Sequence, residues 1–310
     1  PEGLIQINSF KRGTGSRFFP RYRGRFELTV ADDNRFLVIN EVSLEEYLYQ
    51  VVPSEMPINW PLEALKAQAV AARTYAVAQA IYSRQGHLGF HVADSTSSQV
   101  YNNQPEAAST TRAINETAGQ ILAQSDGTIN STYFYSTSPG TILTDLGTWK
   151  DTSGLDLEGN SPWFRWRCTF TKIELASLFE LGEISGLQVE TRDERGRVTS
   201  LIVAGTGGEE CIEGELNIRR ALRPPGLTRI NDNLGPQTLL PSALFFVEQT
   251  RDAGGRLESV TIYGGGNGHN LGMSQWGAKG MAEAGCDYLG ILGKYYSEAQ
   301  LITHSEQLRY

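Results

Sequence analysis

Between Ser43 and Val52 the apolar side chains fall at Leu44, Tyr47, Leu48, Val51 and Val52, the i, i+3, i+4, i+7, i+8 rhythm of one helical face. Ser43 stands just ahead of that stripe and Glu46 follows it by three residues, which is capping-box spacing. Pro53 has no amide hydrogen to continue the ladder and is expected to stop the helix. A second helix is expected to start at Asn59-Trp60-Pro61 and run to about Arg84. Pro61 suits a first helical turn and Glu63 complements the positive end of the helix dipole. Ala64, Ala67, Ala69, Ala71, Ala72, Ala76 and Ala78 give this helix high propensity and let neighbours approach closely. Pro53-Ser54-Glu55-Met56-Pro57 is then a short connection with a proline at each end, so Glu55 is expected at a stiff elbow between two helices.

Elsewhere the period shifts towards two. Phe26–Val30 and Arg35–Ile39 flank the turn-rich Ala31-Asp32-Asp33-Asn34 and predict a hairpin. Residues 86–101 read as loop, 105–117 as helix, and 120–124 and 129–135 as strands. The stretch from Trp149 to Cys168 has little periodicity, and a loop of that length is usually functional or a lid. Residues 192–203 and 251–262 resemble each other, each a strand, a Gly-containing turn and an alternating strand. They are expected to be two hairpins of one antiparallel sheet. A glycine-dense run, 264–278, leads into a helix over 274–284 that Gly285 stops, and a short amphipathic helix follows over 291–296.

These elements predict an α+β protein with a helical catalytic core and a β-rich second lobe that walls an extended cleft. The expected boundaries are an N-terminal β segment over 1–42, a core from 43–168 and 263–310, and a hairpin-rich lobe or insertion over 169–262. The 310 residues are enough for one or two lobes. With 12 Phe and 13 Tyr and no long polar tract, the chain is expected to be folded throughout. A formal charge of −8 argues against holding a phosphate backbone by bulk charge, so nucleic acid is not an expected partner. No run of 18 apolar residues is present, so no membrane-spanning segment is expected in these residues. Cys168, Cys211 and Cys286 lack CxxC spacing, and whether Cys168 pairs with Cys211 stays open.

Motifs narrow the chemistry by elimination. Four histidines without HExxH or HxH spacing, no GxSxG elbow and no phosphate loop leave a carboxylic acid as the candidate reactive group. Glu55 lies among Pro53, Met56, Pro57 and Trp60, an apolar surround that favours the protonated form a general acid needs. The alternative is that Glu55 simply caps the following helix. Lys66 and Arg73, seven residues apart, share a face of an alanine-rich helix and require partners, either a carboxylate or ligand oxygens.

The run Val51-Val52-Pro53-Ser54-Glu55-Met56-Pro57, with Trp60-Pro61 and Glu63-Ala64-Leu65-Lys66-Ala67-Gln68-Ala69-Val70-Ala71-Ala72-Arg73-Thr74-Tyr75-Ala76, resembles the signature of the stage II sporulation protein D family, the SpoIID/LytB domain. Asp94-Ser95-Thr96 with Gln99-Val100-Tyr101 resembles its Gln-x-Tyr loop, and Gly268-His269-Asn270-Leu271-Gly272-Met273-Ser274-Gln275-Trp276-Gly277-Ala278 its GHxxGMSQxGA box. The resemblance spans roughly residues 40 to 300. It implies a lytic transglycosylase that cleaves peptidoglycan glycan strands, preferably those stripped of stem peptides, with Glu55 as the catalytic acid and then base. It further implies that Lys66 and Arg73 line the cleft and that Gln99, Tyr101, Ser136, Ser138, His269, Ser274 and Gln275 contact substrate. The Ser residues have an alternative in turn hydrogen bonds and helix capping, Tyr101 in packing, and His269 in organising its loop. Trp149, Trp163 and Trp166 offer stacking faces for sugar rings, or pack within the protein.

Two stretches depart from the family pattern. Where some members place zinc-binding cysteines and a histidine, this chain reads Asp94-Ser95-Thr96-Ser97-Ser98, so neither metal nor cofactor is expected, although His87 and His91 lie nearby. Where the family often has Gly-Gly-x-Thr-Glu, this chain reads Pro139-Gly140-Thr141-Ile142-Leu143-Thr144-Asp145, and Asp145 and Glu63 are the residues to watch as second acids. The substrate implies an extracytoplasmic location, with a signal or anchor expected before Pro1. The rival readings are a glycan-binding module that enhances a cell-wall amidase, and a muramidase that lets water attack.

Overall fold

The computed structural model describes residues 3–13, 17–30, 35–82, 86–139, 141–143, 149–151 and 158–303. The fold is α+β, as expected. The chain forms two units, residues 1–134 with 278–310 and residues 135–277. The division differs from the expected boundaries, because the N-terminal strands join the helices and residues 135–168 and 263–277 join the β-rich unit.

The first unit is built around helix α1 (Leu44–Glu55), helix α2 (Leu62–Tyr82) and helix α3 (Ala108–Glu116). Nearly every residue of α2 from Ala64 to Ala78 is buried, so this helix is covered on all sides rather than on one face. Its small side chains allow that, and Val77 and Ala78 pack with Ile121, Ala123 and Ile129. Ile121 and Ala123 come from the strand Gln120–Ala123, which pairs antiparallel with Gln300–Thr303 near the C-terminus. The expected N-terminal hairpin is present as Arg25–Val30 against Phe36–Glu41, while its turn lies outside the described residues. The expected end of the second helix, at Arg84, also lies outside them. Of the expected strand over 129–135, only Phe134–Tyr135 is extended and paired.

Pro53 does not stop α1. It sits inside the helix, which continues to Glu55 before Met56 turns extended. A proline costs a helix the bond from its own nitrogen, and here that bond falls in the last turn, where the helix is about to end in any case. Ser54 donates its hydroxyl back to the Gln50 carbonyl at 2.6 Å, and the Met56 N–H closes on the Val52 carbonyl. The capping hydroxyl of Ser43 makes no bond to the backbone and donates instead to the Glu46 carboxylate at 2.9 Å.

Two antiparallel sheets of more than two strands lie in the second unit. In the five-stranded sheet the order is Asn233–Leu234, Leu227–Arg229, Trp166–Thr171, Leu257–Gly264, Phe245–Arg251. The three-stranded sheet is Ile184–Arg192, Val198–Gly205, Gly208–Glu213. The two look-alike hairpins therefore belong to different sheets, not to one, because 257–264 pairs on its other edge with 166–171 while 198–205 pairs with 208–213. Both contribute to one core, in which Phe170, Leu201, Val203, Phe245, Val260 and Ile262 are buried. Trp166 is part of it. Its ring occupies the space a side chain at Gly264 would need, and its Nε1–H donates to the Gly266 carbonyl at 2.9 Å. Trp166 is therefore not available as a sugar platform. Trp163 is half-buried beneath the Arg229 guanidinium, 4.3 Å from its ring centre, and the Trp149 side chain lies outside the described residues.

All three cysteines are free thiols, and the open pairing of Cys168 with Cys211 is not made. Cys168 faces the core from the middle of the five-stranded sheet, and Cys211 is exposed on the three-stranded one. Burial pushes the Cys168 thiol up to about 12. At pH 8 it is almost wholly protonated, and thiolate is the species that alkylates. Iodoacetamide at pH 8 should leave Cys168 unmodified in the native protein and label it only after unfolding, as peptide mass spectrometry would read.

Candidate active site

Glu55 is the last residue of α1 and is half-buried. Its Oε1 accepts the Val100 N–H at 2.6 Å. The loop that delivers this N–H is fixed by its neighbours on both sides. Gln99 is buried, accepts the Tyr47 hydroxyl at 3.1 Å and donates to the Ala72 carbonyl at 3.2 Å, so it fastens the loop to α1 and α2 together. Tyr101 is buried too, stacks on Tyr47 with ring centres 5.0 Å apart, and donates its hydroxyl to Asn40 at 2.6 Å. Arg12 reaches the Tyr101 carbonyl and pairs with Asp94. Burial, and after it the neighbouring Glu55 carboxylate, hold the Tyr47 phenol well above its ordinary range, so Tyr47 stays a neutral donor. At Glu55 the α1 C-terminus disfavours a negative charge, whereas the Val100 N–H favours one.

The structure gives Arg73 and Lys66 protein partners. Arg73 is 0% exposed, and its guanidinium makes a two-pronged pair with Glu45, each bond 2.7 Å. Its remaining donors go to the carbonyls of Gln120 at 3.1 Å and Ile114 at 3.3 Å. It is thus a clamp joining α1, α2, the end of α3 and the following strand, and does not line a cleft. Lys66 is largely covered and pairs with Glu116 at 2.7 Å and Glu63 at 2.9 Å. Those bonds, the one to Glu116 foremost, raise its ammonium above the usual lysine range. Glu63 also accepts the Tyr288 N–H at 2.9 Å, so this watched acid has a structural task. The other, Asp145, lies outside the described residues.

The remaining expected residues all lie in the second unit, and two of them, Ser138 and Ser274, share a partner that sequence reasoning missed. Glu158 is 8% exposed, and its Oε2 accepts the Ser138 N–H and the Ser274 hydroxyl, the latter at 2.9 Å. Ser274 is fully buried and accepts the Gly277 N–H at 3.2 Å, which caps the helix Gln275–Glu283; the capping alternative describes it. Gln275 is buried as well. Ser136 and Ser138 are half-buried, and Ser136 accepts the Trp276 N–H on its carbonyl at 3.0 Å. Thr137 bonds Ser161 at 2.7 Å and exchanges both backbone bonds with Asn267. The serine loop, residues 158–161 and the glycine-dense box are therefore tied into one network. His269 is half-buried. Its Nδ1 accepts the Leu271 N–H at 3.1 Å, which leaves the proton of the neutral ring on Nε2, and its carbonyl takes the Arg197 guanidinium at 2.7 Å. Gly268 just before it has φ of +110°, and a Cβ there would lie 2.7 Å from that of Tyr135, so glycine is required.

Replacing Glu158 by Ala removes a shared acceptor from the buried Ser274 hydroxyl and from the Ser138 N–H, which also meets Ser274 Oγ at 3.2 Å. The expected cost is about 1.5–3 kcal/mol, the range for bonds to a charged group. Hydrogen exchange at the Ser138 amide should quicken by at least about tenfold relative to the wild type, since 1.4 kcal/mol is a factor of ten. Unchanged exchange at Ser138 would remove Glu158 from this role.

Among the described residues one trio of His, Cys, Asp or Glu side chains brings its ligand atoms within 4.8 Å of one another, namely Glu190, Cys211 and Glu213, all exposed. Exposed acidic groups meet in this way without a metal, and the hydroxyl of Ser200 donates to Glu190 at 2.6 Å.

A family model described as stage II sporulation protein matches residues 32–123, the segment that carries α1, α2 and the Gln-x-Tyr loop. The chain is 31% identical over 275 residues to stage II sporulation protein D of Bacillus amyloliquefaciens, covering 83% of this chain and 74% of that protein. The chain belongs to the stage II sporulation protein D family. A further relative, 30% identical over 287 residues, is an uncharacterized protein of Brachyspira hyodysenteriae, with 88% of this chain and 70% of that protein covered. The amidase enhancer of Bacillus subtilis is 28% identical over 296 residues, which is 82% of this chain but 40% of that protein. A model described as a domain of unknown function matches residues 130–272, nearly the whole second unit. No helix among the described residues is long and apolar enough to cross a membrane.

Proposed function

We propose that this member of the family is a peptidoglycan lytic transglycosylase with Glu55 as its single acid and base. The observation that carries this reading is the placement of Glu55, a half-buried carboxyl at the end of a rigid helix, with one oxygen oriented by the Val100 N–H. Protonated Glu55 gives its proton to the oxygen between C1 of N-acetylmuramic acid and C4 of N-acetylglucosamine. The C1–O bond breaks through an oxocarbenium-like state and the glucosamine leaves as an alcohol. The muramyl 6-hydroxyl then attacks C1, closing a 1,6-anhydro ring, and its proton passes to the Glu55 carboxylate. Because the nucleophile belongs to the same sugar, its effective concentration replaces the second carboxyl that a hydrolytic glycosidase uses.

On this reading Gln99 and Tyr101 are positioning residues that set the Val100 N–H, and Arg73 and Lys66 stiffen the helices behind Glu55. The glycan-contacting candidates are the half-buried Ser136, Ser138 and His269, of which Ser138 is held by Glu158 and His269 by Arg197. The substrate places the protein outside the cytoplasm, at the cell wall. A second reading follows from the relative named amidase enhancer, in which the chain binds glycan and stimulates a cell-wall amidase without cutting strands itself. Purified protein incubated with denuded and with peptide-bearing glycan strands separates the two. The proposal expects soluble fragments from denuded strands without any added amidase. Strand binding with fragments only when an amidase is added would favour the second reading.

A further inference from the structure

Arg165, Arg192 and Arg197 brace the second unit around Ser138 and His269, and each spends its guanidinium on the protein. Arg165 donates to the carbonyls of Pro139 at 2.8 Å and Phe164 at 2.7 Å. Arg192 donates to those of Gly196 at 2.9 Å and Phe245 at 2.7 Å. Arg197 divides itself between the Asp193 carboxylate and the His269 carbonyl, each at 2.7 Å. Arg195 differs from all three. Its side chain is exposed, and among the described residues the guanidinium has no hydrogen-bond or ion-pair partner.

The backbone that carries Arg195 is held firmly. In the turn 193–197 the Asp193 N–H meets the Arg197 carbonyl at 3.0 Å, and the Gly196 N–H meets the Asp193 carbonyl at 2.9 Å. The Asp193 carboxylate also accepts the N–H groups of Arg195 and Arg197, at 3.1 and 2.9 Å. Arg197 fastens this turn to His269, whose ring lies 5.7 Å from that of the buried Tyr135. Burial, and after it the Glu158 carboxylate, hold the Tyr135 phenol above its ordinary range. A hydrogen bond with the Ser138 hydroxyl and the charge of Arg195 act the other way, so the guanidinium lies near the phenol that Ser138 touches. Of the acids nearby, Asp193 is taken by Arg197 and Glu158 by Ser138 and Ser274. Glu194 is exposed and does not pair with Arg195.

An unspent guanidinium on a rigid turn complements a carboxylate, which it can meet with two parallel N–H bonds. Strands stripped of stem peptide present one. Where the intact strand has an amide on the lactyl group of N-acetylmuramic acid, the stripped strand has an ionised carboxyl. We propose that Arg195 binds this lactyl carboxylate and thereby sets a preference for stripped strands over peptide-bearing ones. The choice of ligand rests on the reading of Ser138 and His269 as glycan contacts, but not on Glu55 cutting the strand. Carboxylates of the stem peptide itself have the same chemistry and are the competing source.

The test measures binding by calorimetry to the full chain carrying Glu55→Gln, so that nothing is turned over. The probes are denuded strands, the same strands with their lactyl carboxylates converted to primary amides, and peptide-bearing strands. Denuded strands should bind about fivefold more tightly than amidated ones, the size of a well-formed exposed ion pair. Adding Arg195→Gln should abolish that difference by weakening binding to denuded strands alone. Arg195→Lys, which keeps the charge but not the fork, should recover part of it. The Arg195 side chain bonds nothing in the protein, so neither substitution should move the melting temperature. Equal binding of denuded and amidated strands, binding of neither, or an Arg195→Gln effect on both alike overturns the assignment. An Arg195-dependent preference for peptide-bearing strands points to a peptide carboxylate and overturns the lactyl group as the ligand. Failure of the wild type to cut strands, with this preference intact, refutes the transglycosylase and leaves Arg195 its role. Cleavage by the wild type with no dependence of binding on Arg195 does the reverse.

Discussion

Glu55→Gln should reduce strand cleavage by about 10²–10⁴-fold, the usual contribution of a positioned acid–base group. The substitution is nearly isosteric, and the new amide oxygen can still accept the Val100 N–H that now meets Oε1 at 2.6 Å. What it loses is the transferable proton, in both directions. It can neither protonate the leaving oxygen nor take up the proton of the attacking 6-hydroxyl. Melting temperature and affinity for uncut strands should therefore stay close to wild type while the rate collapses, and single-turnover assays read both. A rate within about threefold of wild type would show that Glu55 is not the acid, since it would forgo most of the factor expected of such a group.

Arg73→Met should be the most destabilising single change in the first unit. Arg73 is fully buried, its partner Glu45 is only partly exposed, and five hydrogen bonds converge on the pair: the two between them, those from Arg73 to the Gln120 and Ile114 carbonyls, and that from the Gly119 N–H to Glu45 at 3.2 Å. Removing one member of a buried pair strands the charge of the other, at a typical cost of about 3–5 kcal/mol. The double change Arg73→Met with Glu45→Leu removes both charges and should recover part of that loss, because replacing a whole buried pair by apolar groups is often close to neutral. Denaturant unfolding followed through the helical signal measures both. Should Arg73→Met cost less than about 1 kcal/mol, Arg73 is not a clamp.

Local features of the site were legible in the chain. The 3–4 spacing before Pro53 and the alanine run after Pro61 predict two helices, and both are present; the proline-bounded elbow is not, since the first helix runs through Pro53 and Glu55 is its last residue. The requirement that Lys66 and Arg73 find partners was equally visible. Which partners they find was not. Glu45 is 28 residues from Arg73 in sequence, and nothing local distinguishes it from Glu46. Glu158 was hidden for the same reason. It lies in an aperiodic stretch, and its hydroxyl donor Ser274 is 116 residues away. Periodicity reports which face of an element is buried; it carries no information about which distant polar groups converge in a core. The two similar hairpins show the same limit, since internal alternation predicts each one but not the strand that pairs with its free edge.

The most direct test of the central claim is the chemistry of the new chain end. Denuded glycan strands cleaved by the wild-type protein in ¹⁸O-labelled water should give muramic acid ends that lack one molecule of water and carry no label, because the nucleophile is the sugar's own 6-hydroxyl. Reducing ends that carry ¹⁸O would contradict this account. They would require a water, and a second carboxyl to activate it, where the proposed mechanism uses Glu55 alone.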